Sequence, residues 1–137
     1  MIKTASKMNL FFLELTFMIL ILSLSMAVCV QVFSSAHDTA DYSRDLSNAA
    51  IVAQSTAASY KAFYGDLDKV AVLTDNSSFE SGKLVAYYDR DWQPAGEDKG
   101  AYRLSVSKNN RVATIQVVKL KDQSELFSID VKAVNYE

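Results

Sequence analysis

The first pattern along the chain is a long, mostly apolar segment from Leu10 to Val30. Its roughly 21 residues, at about 1.5 Å of helical rise each, are enough to cross the hydrocarbon core of a bilayer. Glu14 is the only charged residue in this segment, and an ionisable side chain at membrane depth costs on the order of 3 kcal/mol. Glu14 therefore either reaches a nearby interface or marks a contact between subunits. We predict a transmembrane helix over residues 10–33.

The helical pattern continues past the apolar segment. Neither glycine nor proline occurs before Gly65, so one long helix is predicted to extend through residues 34–64, with Gly65 as its C-cap. An apolar stripe follows one face at alternating steps of four and three residues: Leu46, Ala50, Ala53, Ala57, Tyr60 and Tyr64. This stripe predicts the face that packs on a sheet. The same helical periodicity places four charged residues on the opposite face of the helix: Asp38, Asp41, Arg44 and Asp45.

A short second helix is predicted after Gly65. Asp66 is a suitable N-cap for a helix that ends at Leu73, because its side chain can accept a hydrogen bond from the first helical turn. The apolar residues of this helix would share one face: Leu67, Val70 and Ala71. The stretch from Val70 to Leu73 also fits a strand, and the helix is the preferred interpretation. A polar loop over residues 74–82 follows.

From Gly82 onward the apolar period changes from helical to strand-like. Alternation predicts four strands over residues 84–88, 102–107, 111–120 and 127–133. A tight turn is expected at residues 108–110, because asparagine tolerates positive φ. The pattern slips between Val117 and Val118, which indicates a β-bulge.

The fold class predicted from these elements is α+β. Short turns make the four strands an antiparallel meander whose apolar face needs a cover. The alanine-rich stripe supplies that cover, so we expect a long N-terminal helix packed on a four-stranded antiparallel meander. Residues 65–137 would form the domain of the short helix and the sheet.

Charge gives the expected orientation. Lys3 and Lys7 precede the apolar segment, within a basic leader of residues 1–9, whereas acidic residues follow it. The positive-inside rule then places the N-terminus in the cytoplasm and the C-terminal domain outside, as a single-pass protein of the cell membrane. The net charge of −2 argues against a nucleic-acid partner.

Two other N-terminal processing routes are open. A cleaved secretory signal would use the small residues from Ser34 to Ala36, and a lipoprotein signal would end at Cys29. The retained anchor is favoured because the apolar segment is longer than a usual signal core and carries a carboxylate. Val28 also stands where a lipoprotein signal needs a small residue.

Candidate catalytic and metal-binding residues are few. His37 is the only histidine, and the sequence offers neither a second histidine nor a nearby cysteine for a metal site. Carboxylates cluster over residues 89–98, where a solvated turn is preferred over a calcium site. The sequence holds no convincing triad and no glycine-rich phosphate loop. An enzyme, a cofactor and a small-molecule substrate are therefore not expected.

Trp92 is the candidate contact residue of the sheet domain. It lies in a polar loop beside Pro94, and an exposed aromatic side chain often marks a protein contact. Packing in the core is the preferred interpretation for most of the aromatic residues of this region, which are Tyr87, Tyr88, Trp92 and Tyr102.

The leader, the start of the apolar segment and the helix-then-sheet layout resemble the type IV pilins and the pseudopilins of type II secretion. In that family a basic leader precedes an apolar stretch whose fifth mature residue is glutamate, and a long helix and an antiparallel sheet follow. Residues 10–15 resemble the mature start, with Glu14 fifth. The layout is also similar to short prepilin-like membrane proteins of Gram-positive bacteria.

The resemblance implies a processing point between Asn9 and Leu10. Asn9 stands where the family has glycine, and Leu10 where it usually has phenylalanine. In an assembly, the Glu14 carboxylate would neutralise the new amino terminus of a neighbouring subunit, because an ion pair in hydrocarbon is little screened. Without cleavage, Lys7 of a neighbour is the alternative partner.

The function that the resemblance implies is structural. The chain would be a prepilin-like membrane subunit of a pilus-type or type II secretion-type assembly. Its expected partners are membrane lipid and other pilin-like subunits or assembly proteins. The alternative is a stand-alone anchored binding module, which would use Trp92 and the tyrosines of the sheet.

Overall fold

Helix α1 (Ile2–Ala62) dominates the computed structural model, which describes residues 2–134 and the side chains from Thr4 to Val134. Because these 61 residues contain no glycine or proline, nothing in the sequence breaks the ladder of backbone hydrogen bonds. The described chain divides between Tyr42 and Ser43 into two compact units, and α1 contributes residues to both.

The first unit is the N-terminal part of α1, and every side chain described in it is exposed. By length and composition it is compatible with a single membrane span. Three hydroxyl groups in the apolar segment donate to the carbonyl four residues earlier, at 2.8 to 2.9 Å: those of Thr16, Ser23 and Ser25. These hydroxyls therefore need no water, which suits a helix in a bilayer.

A Schellman motif ends α1. The Gly65 N–H donates to the Tyr60 carbonyl at 2.9 Å, and the Tyr64 N–H donates to the Lys61 carbonyl at 3.1 Å. Tyr64, at φ 51°, occupies the left-handed position that the sequence predicts for Gly65, and Gly65 follows it at φ 83°. The prediction of the capping position was therefore wrong by one residue, because the helix ends at Ala62 and the first left-handed residue comes two positions later.

Helix α2 (Leu67–Leu73) confirms the helical interpretation of this stretch. Asp66 is its N-cap and accepts a 3.1 Å hydrogen bond from the Asp68 N–H. The apolar face is the predicted one, with Val70 fully buried and two half-buried residues packed against the core: Leu67 and Ala71.

The sheet has six antiparallel strands instead of the four predicted. They are β1 (Ser78–Glu80), β2 (Lys83–Tyr88), β3 (Pro94–Ala95), β4 (Tyr102–Asn109), β5 (Val112–Lys119) and β6 (Ser124–Lys132). The order is β1-β2-β4-β5-β6, with β3 also paired to β2. The four longer strands correspond to the predicted ones. The sequence could not indicate β1 and β3, because three and two residues are too short to show a period.

The hairpin turn between β4 and β5 lies at residues 110–111, where Asn110 has φ 57°. The predicted position of residues 108–110 was therefore too early, because Lys108 and Asn109 still pair with β5. The ladder between β5 and β6 shifts register between Val117 and Val118, where the bulge was predicted.

The core of the second unit lies between the apolar face of the sheet and the part of α1 that follows Ser43. Buried alanines of α1 join buried residues of β2, β4 and β5 in one cluster, and these include Ala49, Ala53, Leu104 and Ile115. Alanine has a small side chain, so the helix backbone approaches the sheet closely along this line.

Candidate functional site

A polar cluster joins the helical and sheet parts of the second unit. Asp45 comes from α1, Tyr102 from the first residue of β4 and Lys119 from the last residue of β5. Tyr102 and Lys119 are direct cross-strand partners. Because opposite residues of an antiparallel pair lie on the same face of the sheet, both side chains reach the helix together.

Both oxygens of the Asp45 carboxylate have partners. The Tyr102 hydroxyl donates to Oδ1 at 2.7 Å, and the Lys119 ammonium donates to Oδ2 at 3.1 Å. Asp45 is 8% exposed and Tyr102 is 6% exposed, so solvent screens the hydrogen bond between these two side chains little. Each oxygen of the carboxylate already accepts a hydrogen bond from the sheet, which makes the cluster suitable for holding the helix on the sheet.

Burial raises the pKa of Tyr102 to about 12, and the hydrogen bond to the negative Asp45 carboxylate adds to the effect. Both causes favour the neutral phenol, since a phenolate here would be desolvated and would face a like charge. The pKa values of Tyr60, Tyr87 and Tyr88 are also raised, with burial as the largest cause.

Trp92 covers the other side of Tyr102. Its indole stacks on the Tyr102 ring with centroids 4.0 Å apart and planes 16° apart. The side chain is half-buried and packs against the core, and its Nε1 has no hydrogen-bond partner among the described residues. Trp92, predicted to be a candidate partner contact, is thus engaged in packing inside its own chain.

The loop that carries Trp92 is held by Asp89. The Oδ1 atom of Asp89 accepts hydrogen bonds from the Asp91 and Gln93 N–H groups, both at 2.9 Å. These contacts fix a tight turn in which Trp92 adopts φ 59°. Within residues 2–134, no group of three histidine, cysteine or acidic side chains converges as a metal site would require.

The predicted helix stripe is partly buried. Ala53, Ala57 and Tyr60 belong to the core and Ala50 is half-buried, whereas Leu46 is 36% exposed and Tyr64 is 64% exposed. The observed buried face also includes three residues outside the predicted stripe: Asp45, Ala49 and Thr56. The prediction that Leu46 and Tyr64 pack in the core was therefore wrong.

The prediction that Asp45 faces away from the sheet was also wrong. Asp45, Ala49 and Ala53 follow one another at steps of four residues, so they share a helix face. The spacing of these three residues is visible in the sequence, but a buried carboxylate is unusual, so the pattern alone favours the stripe that begins at Leu46. The partners that make its burial tolerable lie 57 and 74 residues away.

The predicted N-terminal site residues all lie on the exposed surface of the first unit. Asn9, Leu10 and Glu14 are helical residues of α1, and Leu10 is 66% exposed. In the described part of the chain, Glu14 forms no side-chain hydrogen bond and no ion pair, in contrast to the three hydroxyl groups of the same segment.

No family model, curated protein or solved structure matches this chain. The evidence for its function is therefore the geometry of its own residues.

Proposed function

We propose that the chain is a prepilin-like, single-pass membrane subunit of a pilus-type or type II secretion-type assembly, with the N-terminus in the cytoplasm and the second unit outside. The observation that supports this function best is the apolar environment of Glu14. It is the only charged residue of an apolar segment that nothing covers within the described chain.

The polar side chains of the apolar segment support the proposal by contrast. The hydroxyl groups of the segment are satisfied inside the helix itself, but the Glu14 carboxylate is not. A carboxylate at membrane depth is costly unless it is paired. An amino terminus or Lys7 of a neighbouring subunit is the partner that we propose.

A second observation favours a structural subunit over a catalytic one. The buried carboxylate of the second unit is used internally, since Asp45 accepts hydrogen bonds from both Tyr102 and Lys119. The proposed task of this unit is to form a rigid body at the end of the membrane helix.

The test is to compare three forms of the full chain in native membranes: wild type, Glu14→Gln and Glu14→Asp. Glu14→Gln keeps the size of the side chain and removes its charge, so co-purification of other membrane subunits should fall at least severalfold. Glu14→Asp keeps the charge and is the matched control, which should retain most of the co-purification. Membrane levels of all three should be equal.

The mature N-terminus, measured by mass spectrometry of the membrane fraction, completes the test. A start at Leu10 supports an amino terminus as the partner, and an intact Met1 supports Lys7. Equal co-purification with wild type and Glu14→Gln would remove Glu14 from the mechanism. A start at His37 would refute the membrane subunit altogether.

A further inference from the structure

A small cavity lies where α1 ends against the tip of the β4–β5 hairpin and the end of β6. Its volume is about 90 Å³. The residues that matter for its chemistry are Tyr60 and Gly65 from the helix end, and Lys108 and Arg111 from the hairpin. No carboxylate lines it, so its charged lining is cationic only.

Tyr60 is the unusual member of this lining. The side chain is 0% exposed, and its hydroxyl has no hydrogen-bond partner among the described residues. A buried hydroxyl without a partner costs on the order of 1 to 3 kcal/mol. The hydroxyl lies beside Gly65, because a Cβ placed on that residue would come within 3.1 Å of it. The Tyr60 hydroxyl and Gly65 are therefore neighbours in the lining of the cavity.

The cations are available to a ligand. The Lys108 ammonium donates to the Gly65 carbonyl at 2.8 Å, which uses one of its three N–H groups and offsets the partial negative charge at the helix end. Arg111 forms no ion pair where the structure describes the chain. A guanidinium binds a planar or tetrahedral oxyanion through two parallel hydrogen bonds.

We infer that this cavity is an anion site that takes a phosphate or carboxylate group. Arg111 and Lys108 supply the charge, and the Tyr60 hydroxyl donates the hydrogen bond that it does not form within the described chain. The rest of the ligand has room beside the cavity, in an open hollow of about 440 Å³ that shares Tyr64, Gly65 and Lys108 with it. Asp66 and Asp68 also line this hollow, so the part of the ligand that lies there carries no negative charge. Tyr64 is 64% exposed there and offers a ring face to a flat or sugar-like group.

The first experiment uses the isotope-labelled full chain in detergent micelles, titrated with inorganic phosphate, with acetate and with chloride at equal ionic strength. The amide NMR signals of Gly65, Asn110 and Arg111 should shift and saturate, while the signal of Gly100, which lies beyond the opposite end of β4 from Lys108, should not move. Saturation by phosphate alone assigns a phosphate group, and saturation by both phosphate and acetate assigns oxyanions in general. The absence of saturable shifts with either oxyanion overturns the proposal.

Variants locate the binding atoms. Arg111→Gln should weaken binding of the saturating anion about tenfold, because a hydrogen bond to a charged group is lost. Tyr60→Phe should also weaken binding, yet the free protein should be at least as stable as wild type, since only an unpartnered hydroxyl is removed. Lys83→Gln removes an exposed cation elsewhere and is the matched control, with unchanged affinity. Wild-type affinity in Arg111→Gln or in Tyr60→Phe overturns the proposal.

Discussion

The Tyr102 hydroxyl donates a 2.7 Å hydrogen bond to Oδ1 of Asp45 and so links the sheet to the helix across 57 residues of sequence. The Asp45 carboxylate is in turn held by Lys119, and Trp92 stacks on the Tyr102 ring. A bond to a buried charge depends on direction as well as distance. This relationship therefore fixes where α1 lies along the sheet, which a line of alanines alone would not do.

Asp45→Ala should destabilise the second unit by about 2 kcal/mol, because the variant leaves the Tyr102 hydroxyl and the Lys119 ammonium without their shared partner. The loss of stability is limited because Lys119 is partly exposed and water can reach its ammonium group in the variant. Urea unfolding of the full chain in micelles, followed by the fluorescence of Trp92, measures the change. Asp41→Ala is the control, since Asp41 is exposed and pairs only with His37 in the described structure. Equal unfolding midpoints for the two variants would contradict the anchoring role of Asp45.

Stability should fall as the pH rises from about 10 to about 12. The pKa of Tyr102 is about 12 in the folded chain and 10.0 for an ordinary tyrosine. The raised value means that the folded state holds its proton more tightly, so this contribution is complete below pH 10 and is lost as the pH approaches 12. The raised pKa values of three other tyrosines act in the same direction: Tyr60, Tyr87 and Tyr88.

Tyr102→Phe isolates the part of this pH dependence that belongs to the cluster. The variant should be less stable than wild type at pH 8, and the difference should shrink between pH 10 and pH 12, because wild type loses there what the variant never had. Urea unfolding at each pH, followed by circular dichroism, gives the comparison. A constant difference across this range would show that Tyr102 titrates normally.

Ala53→Leu should destabilise the second unit by about 1 to 3 kcal/mol, because Ala53 is fully buried where the helix meets the sheet and larger side chains overpack such a site. Ala58→Leu places the same side chain on an exposed position of α1 and should leave thermal unfolding nearly unchanged. If both variants unfold at the wild-type temperature, the close approach of helix and sheet is not required for stability.

Gly65→Ala and Gly82→Ala form a matched pair. Both glycines have positive φ, at 83° and 78°, so either substitution carries a backbone cost of about 1 kcal/mol. Only Gly65 is also crowded, with Ala133 Cβ and the Tyr60 hydroxyl each 3.1 Å from the added Cβ, whereas Gly82 has open space. Gly65→Ala should therefore lower the unfolding midpoint more than Gly82→Ala, and equal losses would count against tight packing at the helix end.

The sequence by itself determined the elements whose causes are local. The apolar segment from Leu10 to Val30 and the absence of glycine and proline before Gly65 are enough to predict α1. The alternation of apolar and polar residues over 102–107 is enough to predict β4. Asp66, just before α2, is enough to predict the N-cap of that helix. These patterns act over neighbouring residues, so they can be seen without the fold.

Only the tertiary structure decided which helix face is buried, how the sheet edges are completed and what holds the two together. Asp45 is buried because Tyr102 and Lys119 meet it from strands far along the chain, and no local pattern shows that pairing. Trp92 packs inward because Tyr102 offers it a stacking face. The short strands β1 and β3 form because β2 offers them hydrogen bonds. The physical reason is the same in each case: the favourable energy comes from partners distant in sequence, which only the folded chain brings within hydrogen-bond or van der Waals distance.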